Sequence, residues 1–162
     1  MMARFQMRID RPWAPALLLG GATKRNSYVD VTPEAVTFHF GAIFNHTEDW
    51  DDIHNVTARR WPWWMGVGWR SNLRGLIGLI GSYNGVVEVG FESRSRAFAV
   101  LPMNRIAVSL EDPEGFIKAI RGARKGAELE AAAGAAAEKK PVRRTNRGNG
   151  RATKRRAKRD GN

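Results

Sequence analysis

Residues 86–120 decide the fold class, and they run VVEVGFESRSRAFAVLPMNRIAVSLEDPEGFIKAI. The first part of the stretch is rich in the β-branched and aromatic residues that favour strands. These residues form three short runs, at 86–91, 96–101 and 105–110. The pattern then changes at Asp112-Pro113. The stretch therefore predicts consecutive strands followed by a single helix.

This helix has a start signal and one apolar face. Asp112 can cap the free N–H groups of the first turn, and Pro113 suits the first helical position. The apolar side chains that follow share one stripe: Phe116, Ile117 and Ile120. A short amphipathic helix of this kind needs a sheet to cover.

Upstream of this stretch, the chain carries five further strand-like runs, at 4–9, 27–31, 35–40, 43–47 and 53–59. The prolines of residues 12–15 predict a loop, and residues 61–84 predict a long Trp/Gly-rich connection. The runs follow one another at hairpin spacing. The sequence therefore predicts a mainly β protein, a small antiparallel barrel or sandwich of seven or eight strands closed by one C-terminal helix.

Charge divides the chain unevenly. Residues 1–120 hold 13 Lys/Arg and 12 Asp/Glu, whereas residues 121–162 hold 14 and 4, so most of the net charge of +11 lies in the second part. We predict a globular domain over 1–121, an Ala-rich, helix-prone linker over 122–138 and a disordered Lys/Arg-rich tail over 139–162.

Five local motifs resemble those of bacterial pleckstrin-homology-like (PH-like) domains of unknown function. They are VTPEAVTF at 31–38, WDDI at 50–53, PWWMGVGWR at 62–70, GVVEV at 85–89 and DPEGF at 112–116. The resemblance covers roughly residues 3–121. It implies a PH-like fold that serves as a binding scaffold and has no enzymatic activity. It transfers no ligand, because the first hairpin lacks a phosphoinositide-type basic signature.

The residues that could support catalysis or metal binding are few. The chain has no cysteine, which excludes a disulfide scaffold, Cys-ligated zinc, an iron–sulfur cluster and a thiol nucleophile. Its glycines match neither phosphate-binding fingerprint. His39 and His54 fall in strand-like runs, and His46 with the acids of 48–52 fits a solvated turn better than a calcium loop. We therefore predict no catalytic residue, metal, cofactor or small-molecule substrate.

The apolar segments are too short to span a bilayer. The longest uncharged piece, residues 75–87, has 13 residues, against about 20 for a membrane-spanning helix. Residues 1–11 have scattered charges and do not form a signal peptide pattern. These features predict a soluble, cytoplasmic protein and leave peripheral membrane contact open.

A cluster of tryptophans and arginines falls within 16 residues: Arg59, Arg60, Trp61, Trp63, Trp64, Trp69, Arg70 and Arg74. Tryptophan suits interfaces and the lipid headgroup zone, and arginine stacks on its faces. One interpretation is a loop that docks on an anionic membrane or a protein. The other is that the tryptophans fill the core and the arginines stack outside it.

The tail is the strongest functional signal. Its cations are Lys139, Lys140, Arg143, Arg144, Arg147, Arg151, Lys154, Arg155, Arg156, Lys158 and Arg159. Such a polycation favours nucleic acid bound non-specifically, since phosphate contact needs no folded groove. An anionic membrane surface and a purely solubilising role are the alternatives. The sequence thus predicts a non-enzymatic binding or adaptor protein, associated with nucleic acid through the tail. A peripheral membrane or protein-interaction module using residues 59–74 is the alternative.

Overall fold

The computed structural model describes residues 2–97 and 101–138, and the side chains of residues 2–92 and 103–133. The described residues form nine strands: β1 Ala3–Gln6, β2 Ser27–Val31, β3 Ala35–Phe40, β4 Phe44–Asp49, β5 Ile53–Ala58, β6 Gly68–Ser71, β7 Gly75–Ile80, β8 Val86–Ala97 and β9 Leu101–Ser109. They also form two helices, α1 Ala14–Leu19 and α2 Pro113–Glu138, and three 3₁₀ turns at Arg11–Trp13, Trp50–Asp52 and Trp63–Met65.

The strands form two sheets. Strands β1 to β4 follow one another in an antiparallel sheet, and the second sheet has the order β5-β8-β9-β7-β6. The mainly β prediction is confirmed, but the barrel alternative is wrong. The sheets do not close into a barrel, because the Trp50–Asp52 turn separates β4 from β5. Strand β5 pairs with β8 of the second sheet instead. One corner joins the sheets, where Met7 bridges Leu110.

Both sheets and α2 share the main core. In β3, burial alternates so that Val36, Phe38 and Phe40 point inward. Phe38 meets Phe91 of the second sheet edge-on at 6.3 Å between ring centroids. On α2, Phe116 is fully buried and packs edge-on against Phe5 at 5.3 Å. The amphipathic helix is confirmed, and its capping residue Asp112 accepts a hydrogen bond from the backbone N–H of Gly115 at 2.9 Å.

Residues 61–84 are not a simple connection, and this part of the prediction is wrong. They contain β6 and β7, which raises the strand count to nine. β7 is buried along its whole length, so its sequence GLIGLI shows no alternation to mark it as a strand. It also pairs in parallel with β9, whereas the sequence predicted antiparallel pairs throughout.

Two further boundaries differ from the prediction. β8 extends to Ala97 and β9 begins at Leu101, so the run predicted at 96–101 is divided between them, and residues 98–100 lie outside the described part. The predicted loop at residues 12–15 is wrong, because Pro12 and Trp13 lie in the first 3₁₀ turn and Pro15 lies in α1. Pro15 is accommodated there because the first turn of a helix needs no N–H donor at that position.

Helix α2 is longer than the amphipathic stretch that predicted it. It runs through residues 122–138, and the partly buried Ala123 and Ala127 pack against the main core. The guanidinium of Arg124 donates to the carbonyl of His54 at 2.8 Å, which ties α2 to the edge strand β5. Residues 139–162 lie outside the described residues, and the disorder expected for them stays a prediction.

Candidate docking surface

The tryptophans of residues 59–74 divide between the interior and the surface. Trp61 is only 6% exposed, and its indole N–H donates to the carbonyl of Gly66 at 3.0 Å. Its ring lies on Gly78 of β7, where an added Cβ would come within 2.5 Å of the ring. Trp69 of β6 is half-buried against the main core. These two residues stabilise the fold, as one of the two sequence interpretations proposes.

Trp63 and Trp64 are instead 77% and 72% exposed on the third 3₁₀ turn. The backbone of this turn is held in place although its indoles are not. The Tyr83 hydroxyl donates to the Trp63 carbonyl at 3.4 Å. Gly66 ends the turn at φ 71°, in the left-handed region that favours glycine. The turn therefore presents two adjacent indoles to solvent from a defined backbone.

Arg59 belongs to the fold. It forms an ion pair with Glu88 on the neighbouring strand, and Arg105 lies 3.5 Å from the other oxygen of the same carboxylate. Burial lowers the pKa of the Arg59 guanidinium, and the nearby positive charge of Arg105 lowers it further. This cluster joins the residue after β5 to β8 and β9, and its one carboxylate is shared by two guanidinium groups.

Arg60, Arg70 and Arg74 are exposed. The guanidinium of Arg70 lies beside Gly66, where an added Cβ would be 3.0 Å from its Nη2 atom. Within the part of the chain that the structure describes, none of these three arginines forms an ion pair. Their charges are therefore open to an anionic partner.

Helix α1 adds two exposed leucines that the sequence interpretation missed, because the prolines before them indicated a loop. Leu18 is 62% and Leu19 93% exposed. Trp13, directly before α1, packs edge-on against Tyr83 at 5.9 Å, and Tyr83 also holds the Trp63 turn. The two elements are thus neighbours. We call their four exposed side chains the exposed apolar face: Leu18, Leu19, Trp63 and Trp64.

The segments that carry this face contain no acidic residue. Neither residues 11–29 nor residues 53–87 include an aspartate or glutamate. Together they hold seven cations: Arg11, Lys24, Arg25, Arg59, Arg60, Arg70 and Arg74. Of these, Arg59 pairs with Glu88 and Lys24 pairs with Glu111 at 2.9 Å. The other five form no ion pair among the described residues, and Asp10, the acid directly before the first segment, is paired with Arg8 and bonded to Ser82.

The three histidines lie in separate places. His39 packs on Tyr28 with 4.5 Å between ring centroids, His54 lies over Gly90, and His46 Nε2 is 2.5 Å from Glu48 Oε1. Among the described residues, no three His, Asp or Glu side chains are grouped to hold a metal ion. The predicted solvated stretch is wrong at Glu48, which is buried beside His46, and in the 3₁₀ turn that follows, Trp50 is the buried side chain.

An apolar groove of 370 Å³ lies between part of α2 and the edge of the first sheet. Small residues line its helical side: Ala119, Gly122, Ala123, Gly126 and Ala127. Among the described residues, Glu130 is the one charged side chain that lines it, so they bring no pair of ionisable groups together in the groove.

Comparisons of the chain with protein-family models, curated proteins and solved structures find no match. In the described part, neither helix has the length and apolarity needed to cross a membrane. All eleven cations of the predicted polyanion-binding segment lie in 139–162, beyond the described residues.

Proposed function

We propose that this protein binds polyanions through residues 139–159, and that its principal partner is nucleic acid bound without sequence preference. One observation carries the proposal: the 21 residues of this segment contain eleven Lys/Arg and no acid. A segment of this kind attracts a phosphate backbone and releases its condensed counterions.

The composition of the segment further defines the mode of binding. Seven of the eleven cations are arginines, whose planar guanidinium can contact a phosphate through two hydrogen bonds. The segment has no aromatic residue on which a base could stack. Since contacts to phosphate carry no sequence information, duplexes of unrelated sequence are expected to bind alike.

The folded domain serves in this proposal as a non-enzymatic scaffold for the basic segment. The resemblance of residues 3–121 to PH-like domains supports that role, as does the packing of α2 on a two-sheet core. Helix α2 runs to Glu138, so it connects the two-sheet core directly to the basic segment.

Two variants altered at the same positions, one without and one with the positive charges, test the proposal. In one, the seven arginines of residues 143–159 become glutamine, and in the other the same seven become lysine. Fluorescence anisotropy with two labelled duplexes of unrelated sequence measures the binding. We expect the glutamine variant to bind at least about tenfold more weakly and the lysine variant to keep most of the affinity, because charge dominates. A glutamine variant that binds as tightly as the unaltered chain would overturn the proposal.

A further inference from the structure

Four large apolar side chains remain in solvent on two neighbouring elements. Single exposed hydrophobic residues are common on proteins, but grouped ones mark interaction sites. The exposed apolar face combines two adjacent indoles with two adjacent leucines. The buried position in this loop belongs to Trp61, which packs in a second buried cluster and is bonded to Gly66.

The charge around this face favours one kind of partner. The two segments that build it contain no acid, and the exposed Arg60, Arg70 and Arg74 are unpaired within the described residues. A protein interface usually has a rim of mixed polar groups. Apolar and indole side chains flanked by these unpaired arginines match the layers of an anionic bilayer, where headgroup phosphates lie above the acyl chains. Asp10, the acid directly before the first of these segments, is already paired with Arg8 and bonded to Ser82.

We propose that the exposed apolar face binds the surface of an anionic lipid bilayer. Trp63, Trp64, Leu18 and Leu19 enter the boundary between headgroups and acyl chains, and Arg60 and Arg70 contact lipid phosphates. This inference goes beyond the binding of nucleic acid and does not depend on residues 139–159.

The experiment uses the full chain with the seven tail arginines replaced by glutamine, so that the tail contributes little to lipid binding. Vesicles of phosphatidylcholine, alone or mixed with phosphatidylserine, are sedimented with the protein. The test variant carries Trp63→Ser and Trp64→Ser. The control carries Leu129→Ser, which removes another exposed apolar side chain, on α2.

We expect the unaltered face to bind the phosphatidylserine vesicles and the tryptophan variant to bind about tenfold more weakly, since affinity scales with buried apolar area. The control should change less than about twofold. Brominated lipid should quench the tryptophan fluorescence of the parent but much less that of the variant. Binding to duplex DNA by the chain with an intact tail should be unaffected by the two substitutions.

Three results would overturn the proposal. The tryptophan variant could bind vesicles as tightly as its parent, or brominated lipid could leave the parent's fluorescence unchanged. In the third, the parent does not bind vesicles but self-associates in sedimentation velocity, and the two substitutions abolish that association. The face would then be an interface between copies of this chain. A thermal melt establishes that the variant is folded, and the pair Leu18→Ser and Leu19→Ser repeats the test should it not be.

Discussion

The folded domain and the basic segment that follows it use charge in opposite ways. In residues 1–120 the two signs nearly balance, and several cations are paired locally, as in the two-bond contact of Arg4 with Asp30 at 2.7 and 2.9 Å. Residues 139–159 contain no acid to pair with. Apolar burial stabilises the first region, whereas the cations of the second have no acid within their own 21 residues to pair with.

The largest effect should come from the helix core. Phe116→Ala should lower the free energy of unfolding by about 3–5 kcal/mol, because a fully buried ring that packs on Phe5 is lost. Leu129→Ala on the same helix is the control, and it should change stability by less than about 0.5 kcal/mol, since Leu129 is 63% exposed. Chemical denaturation measures both. Equal midpoints for the two variants would contradict the packing of α2 on the sheets.

The tryptophans permit a similar test within one loop. Trp61→Ala should cost about 3 kcal/mol or more, because the substitution opens a cavity and removes the hydrogen bond to Gly66. Trp63→Ala and Trp64→Ala should each stay within about 0.5 kcal/mol, since both side chains are exposed. Urea denaturation curves of the three variants measure the loss of stability and show whether it depends on the position of the tryptophan in the loop. A similar loss in all three would mean that Trp63 and Trp64 also support the core.

A smaller effect is expected where a glycine admits the Trp61 ring. Gly78→Val should destabilise by about 1–3 kcal/mol, because the new side chain collides with that ring. Gly122→Ala on α2 meets no atom within 4 Å and should instead stabilise by about 0.4–1 kcal/mol. Thermal unfolding of both variants shows whether each substitution raises or lowers stability. A neutral Gly78→Val would contradict the close approach of Trp61 to β7.

The smallest effect on stability is expected when the whole basic segment is removed. Removing residues 139–162 should change the free energy of unfolding by less than about 0.5 kcal/mol, because the segment has few apolar side chains to bury. Calorimetry of the full and shortened chains compares the midpoints. A drop of several degrees would show that the segment contributes to the fold, and the contrast between the two regions would fail.

Much of the fold was predictable where side-chain periodicity or a cap gave a local signal. β2 and β3 lie at the predicted residues, and Asp112 caps α2 as its position indicated. β7 was not predictable in this way. Its two faces are both buried, and its partner β9 lies far along the chain, so neither alternation nor hairpin spacing marks it.

The candidate surface was only partly predictable for a similar reason. The composition of residues 59–74 located the Trp/Arg cluster. Which of its tryptophans is buried depends on a tertiary contact, because the Trp61 ring packs on Gly78 of β7. The leucines of α1 were missed because prolines mark loops and first helical turns alike.

The salt dependence of duplex binding shows whether the basic segment neutralises the phosphates of a nucleic acid. Labelled duplexes of unrelated sequence are titrated with the full chain and with residues 1–138 over a range of salt concentrations. We predict that the full chain binds both duplexes alike, with a log–log slope of about −0.9 for each phosphate neutralised, and that the shortened chain loses most of its affinity and of this slope. If the shortened chain binds as tightly and with the same slope, residues 139–159 are not the binding element.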